Sequence, residues 1–402
     1  MSRPRDTAGV RPDAPSIGRV VLVNDYRSLG GAERVVADTA ELLEGAGIAA
    51  HVFSSEDVPG HRRNAVNFVH HRAARTALAR LVNEVEPDVV HLHNVYHELS
   101  PAVLSVPARL GVPSLVTAHD WHLACPNPSG CRHVDGQMRP VDLTHLSARS
   151  LVTSRWDVSR VRSLARLVQH VAGYRIVDRR SDLDLIVCPS PAQAAVFERS
   201  FGATAAVLRN PQPAPPTEGA PSDRSGFVFA GRVEPEKGLA AFIEVAPVEL
   251  LDDLRVIGEG EDLERCRAAA QRRGAATEFT GRLSAAETLD AMRRCDVLVL
   301  PSRWPEIAPL AVIEAIASGC RVLGSRLGGI PELCAGRDEL LFDPFDEDDV
   351  ARACRAALAA DPSGPRPEAS ARAQTRETYL AELVDLYATA VATHRRRAAA
   401  GR

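Results

Sequence analysis

Two series of short apolar segments alternating with longer amphipathic ones, separated by a proline-rich break, constrain this chain more than any other feature. Such alternation specifies parallel βα units. In the first series the apolar segments are 19–24, 50–53, 88–93, 114–119 and 183–188, with a helical stretch running to Glu44 after Gly30-Gly31. Residues 209–225 are dense in Pro, Gly and Ser and can hold neither a helix nor a central strand. The rhythm restarts with 226–230, 254–257, 278–280, 297–300 and 321–323, followed by a less regular 340–342. At 402 residues the chain suits two domains of about 150–200 residues each. The expected division is a disordered tail over 1–16, a domain over 17–208, a linker over 209–225 and a second domain over 226–374. An amphipathic helix over 375–402 is expected to lie back across either domain, with the first domain as the candidate. Two such α/β domains imply a cleft between the carboxyl ends of two sheets, where ligands bind.

Composition narrows the class. A formal charge of -4 makes no case for nucleic-acid binding. Eight scattered cysteines without a paired framework suit a reducing cytosol. The first 16 residues lack the apolar core of a signal peptide, and no apolar run approaches the roughly 18 residues of a membrane span. The expectation is a soluble cytoplasmic protein.

Lys237 is the only lysine, in a chain with 48 lysines and arginines. An ammonium is a compact point charge and a guanidinium a planar fork, so the two are not interchangeable at a crowded anion site. Lys237 follows a short apolar strand and a Gly231-Arg232 turn, just before the next helical stretch. Arg232 and Lys237 across that turn would clamp a diphosphate. The competing reading is a solvated loop charge.

The segment 300–319 is the strongest block. An apolar strand delivers Pro301-Ser302, a loop carries Glu306, and Pro309 suits the first position of a helix. Glu314 lies inside that helix among apolar neighbours, where a carboxylate is costly unless paired or liganded. Taken alone, Glu314 is best read as the partner of a core arginine. With Arg232 and Lys237 upstream, two acceptor-only carboxylates suit a polyhydroxylated ligand, and the N–H groups near Ile307, Ala308 and Leu310 suit a phosphate.

The run 301–333 resembles the nucleotide-sugar-binding segment of the family 4 glycosyltransferases, marked by two glutamates with seven residues between them, as in Glu306 and Glu314. Gly231-Arg232, Lys237-Gly238, the segment 256–260, 279–281 and 328–332 follow in the family's order, as do 30–34, 91–94, 119–121 and Pro189-Ser190 earlier in the chain. The resemblance covers about residues 17–360. It implies two Rossmann-like domains facing across a cleft (GT-B), an N-terminal acceptor domain, a C-terminal nucleotide-sugar domain, and no metal or other cofactor. It implies that Arg232 and Lys237 hold the donor diphosphate, Glu314 the ribose, and Glu306 the transferred sugar. His119 would contact that sugar near the reacting centre. Gly30 and Gly31 would admit the diphosphate, and backbone near Gly258 and Gly281 would read the base. Transfer would retain anomeric configuration by front-face displacement, without a protein nucleophile. After Glu306 many members have Gly-Phe-Gly, whereas this chain has Ile307-Ala308-Pro309. That pattern, with Trp304 ahead of the glutamate, resembles a subgroup found in surface-polysaccharide assembly.

His91, His93, His97, His119, His122, Cys125, Cys131 and His133 lack zinc-like pair spacing, so no metal site is expected. His91 and His93 would lie near the cleft, and the loop 124–131 would face the acceptor. Segment 155–180 carries Arg155, Arg160, Arg162, Arg166, Arg175, Arg179 and Arg180 among Leu and Val. It offers peripheral contact with an anionic membrane and a lipid-linked acceptor, against the commoner reading of a solvated face. The function expected is hexosyl transfer from a nucleotide diphosphate sugar to a glycan or lipid-linked saccharide, at the inner face of the membrane. Its rivals are glycosylation of a small-molecule natural product, a sugar-nucleotide epimerase, and a non-catalytic partner subunit.

Overall fold

The computed structural model describes residues 17–27, 30–62, 64–176, 179–202, 205–213, 224–334, 338–361 and 374–401. The tail expected over 1–16 and the middle of the linker lie outside the described residues.

The first domain is built on β1 (Arg19–Val23), β2 (Ala49–Phe53), β3 (Val89–Leu92) and β4 (Ser114–Thr117). An antiparallel hairpin, β5 (Cys131–Val134) and β6 (Gln137–Pro140), follows, and then β7 (Leu185–Cys188) and β8 (Ala205–Val207). The six strands outside the hairpin form one parallel sheet in the order β2-β1-β3-β4-β7-β8. A parallel sheet is covered on both faces, which is why β1 is apolar almost throughout. Its side chains alternate: Val21 and Val23 enter one core layer and Val20 and Leu22 the other.

The layer beneath Val20 and Leu22 is completed by the chain's last helix, Arg376–Ala399. Tyr379, Leu383, Tyr387 and Val391 recur every four residues and form one buried stripe against the first domain. Tyr387 Oη lies 3.0 Å from His91 Nδ1, and Tyr379 Oη 2.8 Å from Thr39 Oγ1. Both buried tyrosine hydroxyls thus have a hydrogen-bond partner.

The second domain contains β9 (Phe227–Ala230), β10 (Leu254–Ile257), β11 (Glu278–Gly281), β12 (Val297–Leu300), β13 (Arg321–Ser325) and β14 (Leu341–Phe342). They form a parallel sheet ordered β11-β10-β9-β12-β13-β14 around its own core. The chain crosses between domains twice, side by side: Gln212 N–H donates to the Gln374 carbonyl at 2.8 Å.

In each sheet the strand order reverses about the first strand. Loops leaving β1 and β3, and those leaving β9 and β12, therefore diverge and open a crevice at the carboxyl edge. No disulfide joins the eight buried cysteines. No helix among the described residues is long and apolar enough to cross a membrane.

Candidate active site

The loops after β9 and β12 bring together residues far apart in sequence. After β9 the backbone turns through Gly231 and a single 3-10 turn, Pro235–Lys237, which precedes the helix Leu239–Val245. After β12 it passes Ser302, Trp304 and Glu306 before the helix Leu310–Ala317. Lys237 Nζ donates to Glu306 Oε1 at 2.6 Å, and Ser302 Oγ donates to the same oxygen at 2.7 Å. The Lys237 and Glu306 side chains are only 15% and 6% exposed. Lys237 Nζ also stands 5.5 Å from the centre of the Trp304 ring. The solvated-loop reading of Lys237 is thereby excluded.

Glycines let a second loop press against Glu306 from behind. A Cβ on Gly328 would collide with the Glu306 carbonyl, and one on Gly329 with that of Ile307. Gly329 N–H donates to the Glu306 carbonyl at 2.6 Å. Ile307 itself is buried in the core of the opposite domain. The N–H groups of Ile307, Ala308 and Leu310 donate to no group among the described residues, leaving an anion-accepting helix mouth. Pro309 stands at the N-cap, one position before the helix begins, because its ψ of 119° is extended rather than helical.

Four contacts close the cleft. Trp121 Nε1 donates to the Pro305 carbonyl at 2.8 Å. Asn210 Nδ2 reaches the Ala308 carbonyl at 3.2 Å, and Ala192 N–H reaches Glu332 Oε1 at 2.8 Å. The fourth contact is an ion pair between Arg34, on the helix Gly31–Gly45, and Glu314. Burial pushes the Glu314 carboxyl up from its ordinary range, and Arg34 pulls it back down. Gly31 sits against the Leu310 side chain, and the neighbouring Gly30 is the N-cap of the same helix.

His119 leaves the end of β4, with its Nε2 2.8 Å from His93 Nδ1. Burial lowers its pKa to about 4 and that of His91 to about 3. Both rings are therefore neutral near pH 7 and act as hydrogen-bonding groups rather than cations. His91 turns away from the crevice, toward Tyr387 and Thr117.

Arg232, expected to join Lys237 on a donor diphosphate, has a side chain that is 62% exposed and stands 4.0 Å from Glu234. Gly258 N–H donates to the Gly281 carbonyl at 2.8 Å, so the two glycines expected beside the base lie together where the ends of β10 and β11 meet. The loop 124–131 is mostly buried, and Gly130 packs against Trp121 and Pro305 at the domain contact.

Asn24 and Asp25, to which the sequence alone assigns no role, stand directly after β1. Asn24 Nδ2 binds Glu33 Oε1 at 3.1 Å, and Asn24 Oδ1 accepts from Asn94 N–H at 3.1 Å. Asp25 accepts the backbone N–H groups of His97, Glu98 and Leu99 at 2.7–3.0 Å. These bonds fix the loops at the first sheet's reversal point. The polar pair directly after an apolar strand was the available signal. Among the described residues no group of three His, Cys, Asp or Glu side chains is arranged to hold a metal ion.

Comparison with known families assigns the two halves. Residues 29–211 match the Glycosyltransferase Family 4 profile, and residues 224–360 match that of Glycosyl transferases group 1. The chain belongs to the family 4 glycosyltransferases. Glycogen synthase of Mycobacterium tuberculosis is 30% identical to this family 4 chain over 283 residues, 62% of this chain and 65% of that protein. The 2-deoxystreptamine N-acetyl-D-glucosaminyltransferase of Streptomyces fradiae is 29% identical over 304 residues, 71% of this chain and 65% of that protein. The chain spans 61–65% of the length of the first curated relatives it matches. Among solved structures, Anabaena HepE in complex with UDP and glucose covers 95% of this chain and 99% of its own, with a TM-score of 0.57 at 16% identity. That similarity identifies the fold of this family 4 chain as GT-B, two Rossmann-like domains across a cleft.

Proposed function

We propose that this chain is a retaining glycosyltransferase that moves a hexose-type sugar from a nucleotide diphosphate sugar to a glycan or lipid-linked saccharide in surface-polysaccharide assembly. The observation that supports this best is the Lys237–Glu306 contact beside the open helix mouth. It sets a cation for a diphosphate next to a carboxylate for sugar hydroxyls.

In this reading the diphosphate meets Lys237 and the N–H groups of Ile307, Ala308 and Leu310, and Arg232 swings in from solvent. Glu314 accepts the ribose hydroxyls through the oxygen that Arg34 does not hold. Glu306, with His119 opposite, orients the transferred sugar. The anomeric carbon–oxygen bond breaks with its electron pair passing to the β-phosphate. The acceptor hydroxyl bonds to the same face of that carbon, and its proton passes to the departing phosphate. Positive charge from Lys237, Arg232 and the helix dipole stabilises the phosphate, so no metal is required. A lipid-linked acceptor sets the protein to work at the inner face of the membrane, with contact through segment 155–180.

The Streptomyces fradiae relative, named for a small aminocyclitol acceptor, supports a second reading, glycosylation of a small-molecule natural product. The experiment is a transfer assay on the purified protein with a panel of nucleotide sugars and chelator present, the anomeric configuration being read by NMR. One donor should be consumed with retention. Inversion would overturn the mechanism, and consumption of no donor would favour the non-catalytic subunit.

A further inference from the structure

The helix Arg160–His170 is inside out. Its buried face is polar: Ser163, Gln169 and His170. Ser163 Oγ accepts Trp156 N–H at 2.8 Å, and Gln169 Nε2 donates to the Phe68 and Tyr96 carbonyls at 2.6 and 2.8 Å. Its exposed face carries Val161, Leu164 and Val168, spaced three and four apart and so forming one stripe. Val152, Val158 and Ile176 extend the apolar surface along the same segment, Ile176 being 77% exposed. These six are the majority of the ten large apolar side chains exposed among the described residues. Val66 adds a seventh from the helix Ala65–Val69, which packs against Arg160–His170. A clustered apolar surface of this kind marks an interaction site.

The charge around it has one sign. Between 147 and 176 there are six arginines and one acid, Asp157. Asp157 is buried and held by Arg162 and Arg166 at 3.0 and 3.2 Å. A cavity of about 320 Å³, lined in part by Thr144, Ser147, Arg175 and Arg180, lies next to this segment.

We propose that this surface seats the protein on an anionic bilayer, with Val161, Leu164, Val168 and Ile176 entering the interface and the arginines lying among the lipid phosphates. Exposed aliphatic side chains ringed by arginine suit a layer that is apolar below and negative above. A second copy of this chain fits poorly. A two-fold dimer would lay the patch on itself and bring both sets of arginines together with only their buried aspartates between them. The inference rests on the proposed reading and deepens it by fixing where a lipid-linked acceptor would be met, but its deciding readout is vesicle binding.

The full chain is centrifuged with vesicles of phosphatidylcholine alone or containing phosphatidylglycerol. It should sediment with the second and not the first, and release on adding salt. The triple variant V161S/L164S/V168S changes only exposed positions and should remain in solution with an unchanged melting temperature. R149Q and R160Q should each weaken vesicle binding roughly fivefold. Failure of the wild-type chain to sediment with phosphatidylglycerol vesicles would overturn the proposal. So would wild-type sedimentation by the triple variant, or a dimer in solution that the triple variant dissolves. Transfer to a soluble acceptor should be unchanged in the triple variant, which separates failure of this surface from failure of the catalytic reading.

Discussion

Lys237 Nζ lies 2.6 Å from Glu306 Oε1, joining the loop after β9 to the loop after β12 where the second sheet reverses its strand order. Both side chains are largely buried, and Ser302 supplies the second hydrogen bond to the same oxygen. A donor diphosphate entering here meets an ammonium already fixed in place by a carboxylate.

Removing one partner of a buried pair leaves the other uncompensated. Lys237→Ala should therefore cost about 3–5 kcal/mol of stability as well as lowering kcat on the order of 100-fold or more. The double variant K237A/E306Q should recover most of the stability and none of the turnover. Denaturant melts and steady-state kinetics on both variants check this. Recovery of turnover in the double variant would remove Lys237 from the chemistry.

Glu314 is held across the cleft by Arg34. Glu314→Ala should weaken nucleotide binding roughly tenfold or more, with little effect on folding. Arg34→Ala removes the charge that opposes the burial effect, so the Glu314 carboxyl should keep its proton to higher pH. Its affinity deficit should therefore be larger at pH 6 than at pH 8. Calorimetric titration at both values reads the difference, and an equal deficit would reduce Arg34 to a steric role.

His119 is buried neutral, its pKa lowered to about 4. His119→Ala should lower kcat while leaving nucleotide affinity near the wild-type value. His119→Gln, which keeps a hydrogen-bonding group, should retain more of the rate. A kcat profile in which an ionisation near pH 6.5 vanishes in His119→Gln would contradict the neutral assignment.

Burial also lowers His91 and His170 to about 3, and His93 and His122 well below their ordinary value. Each group takes up a proton on unfolding below about pH 6.5, so its contribution to stability is lost as pH falls from there. Asp25 and Asp120, raised to about 7 by burial, act in the opposite sense between about 3.8 and 7. With His71, His119 and His133 also lowered, seven imidazoles stand against the two carboxyls raised as far as about 7. The urea midpoint should drop clearly between pH 7 and pH 5, and a midpoint that rises would reverse the assigned protonation states.

Most of the fold was legible because parallel strands buried on both faces must be apolar in short runs. Segments such as 254–257 and 297–300 have no other stable place, and both are strands. The β5–β6 hairpin escaped because Cys131–Val134 and Gln137–Pro140 carry little apolar alternation. β8 escaped because Ala205–Val207 is three residues long. At the site, Glu306 and Lys237 were identifiable singly as charges flanked by strands and helix starts. Their pairing was not, nor was Arg34 as the partner of Glu314, because both depend on how segments 69 and 280 residues apart are brought together. The inverted helix Arg160–His170 was legible as arginine among leucine and valine. Only the fold reveals which of those faces is outward.

The most direct test of the donor site is thermal stabilisation of the purified chain by UDP, GDP, ADP and dTDP, each with chelator present. Binding to the native state raises stability by mass action, by about 2.7 kcal/mol when ligand stands at a hundred times Kd. One nucleotide should raise the melting temperature of the wild-type chain and the shift should shrink sharply in Glu314→Ala. No shift from any of the four at millimolar concentration, or an undiminished shift in Glu314→Ala, would contradict a nucleotide site between Lys237, Glu306 and Glu314.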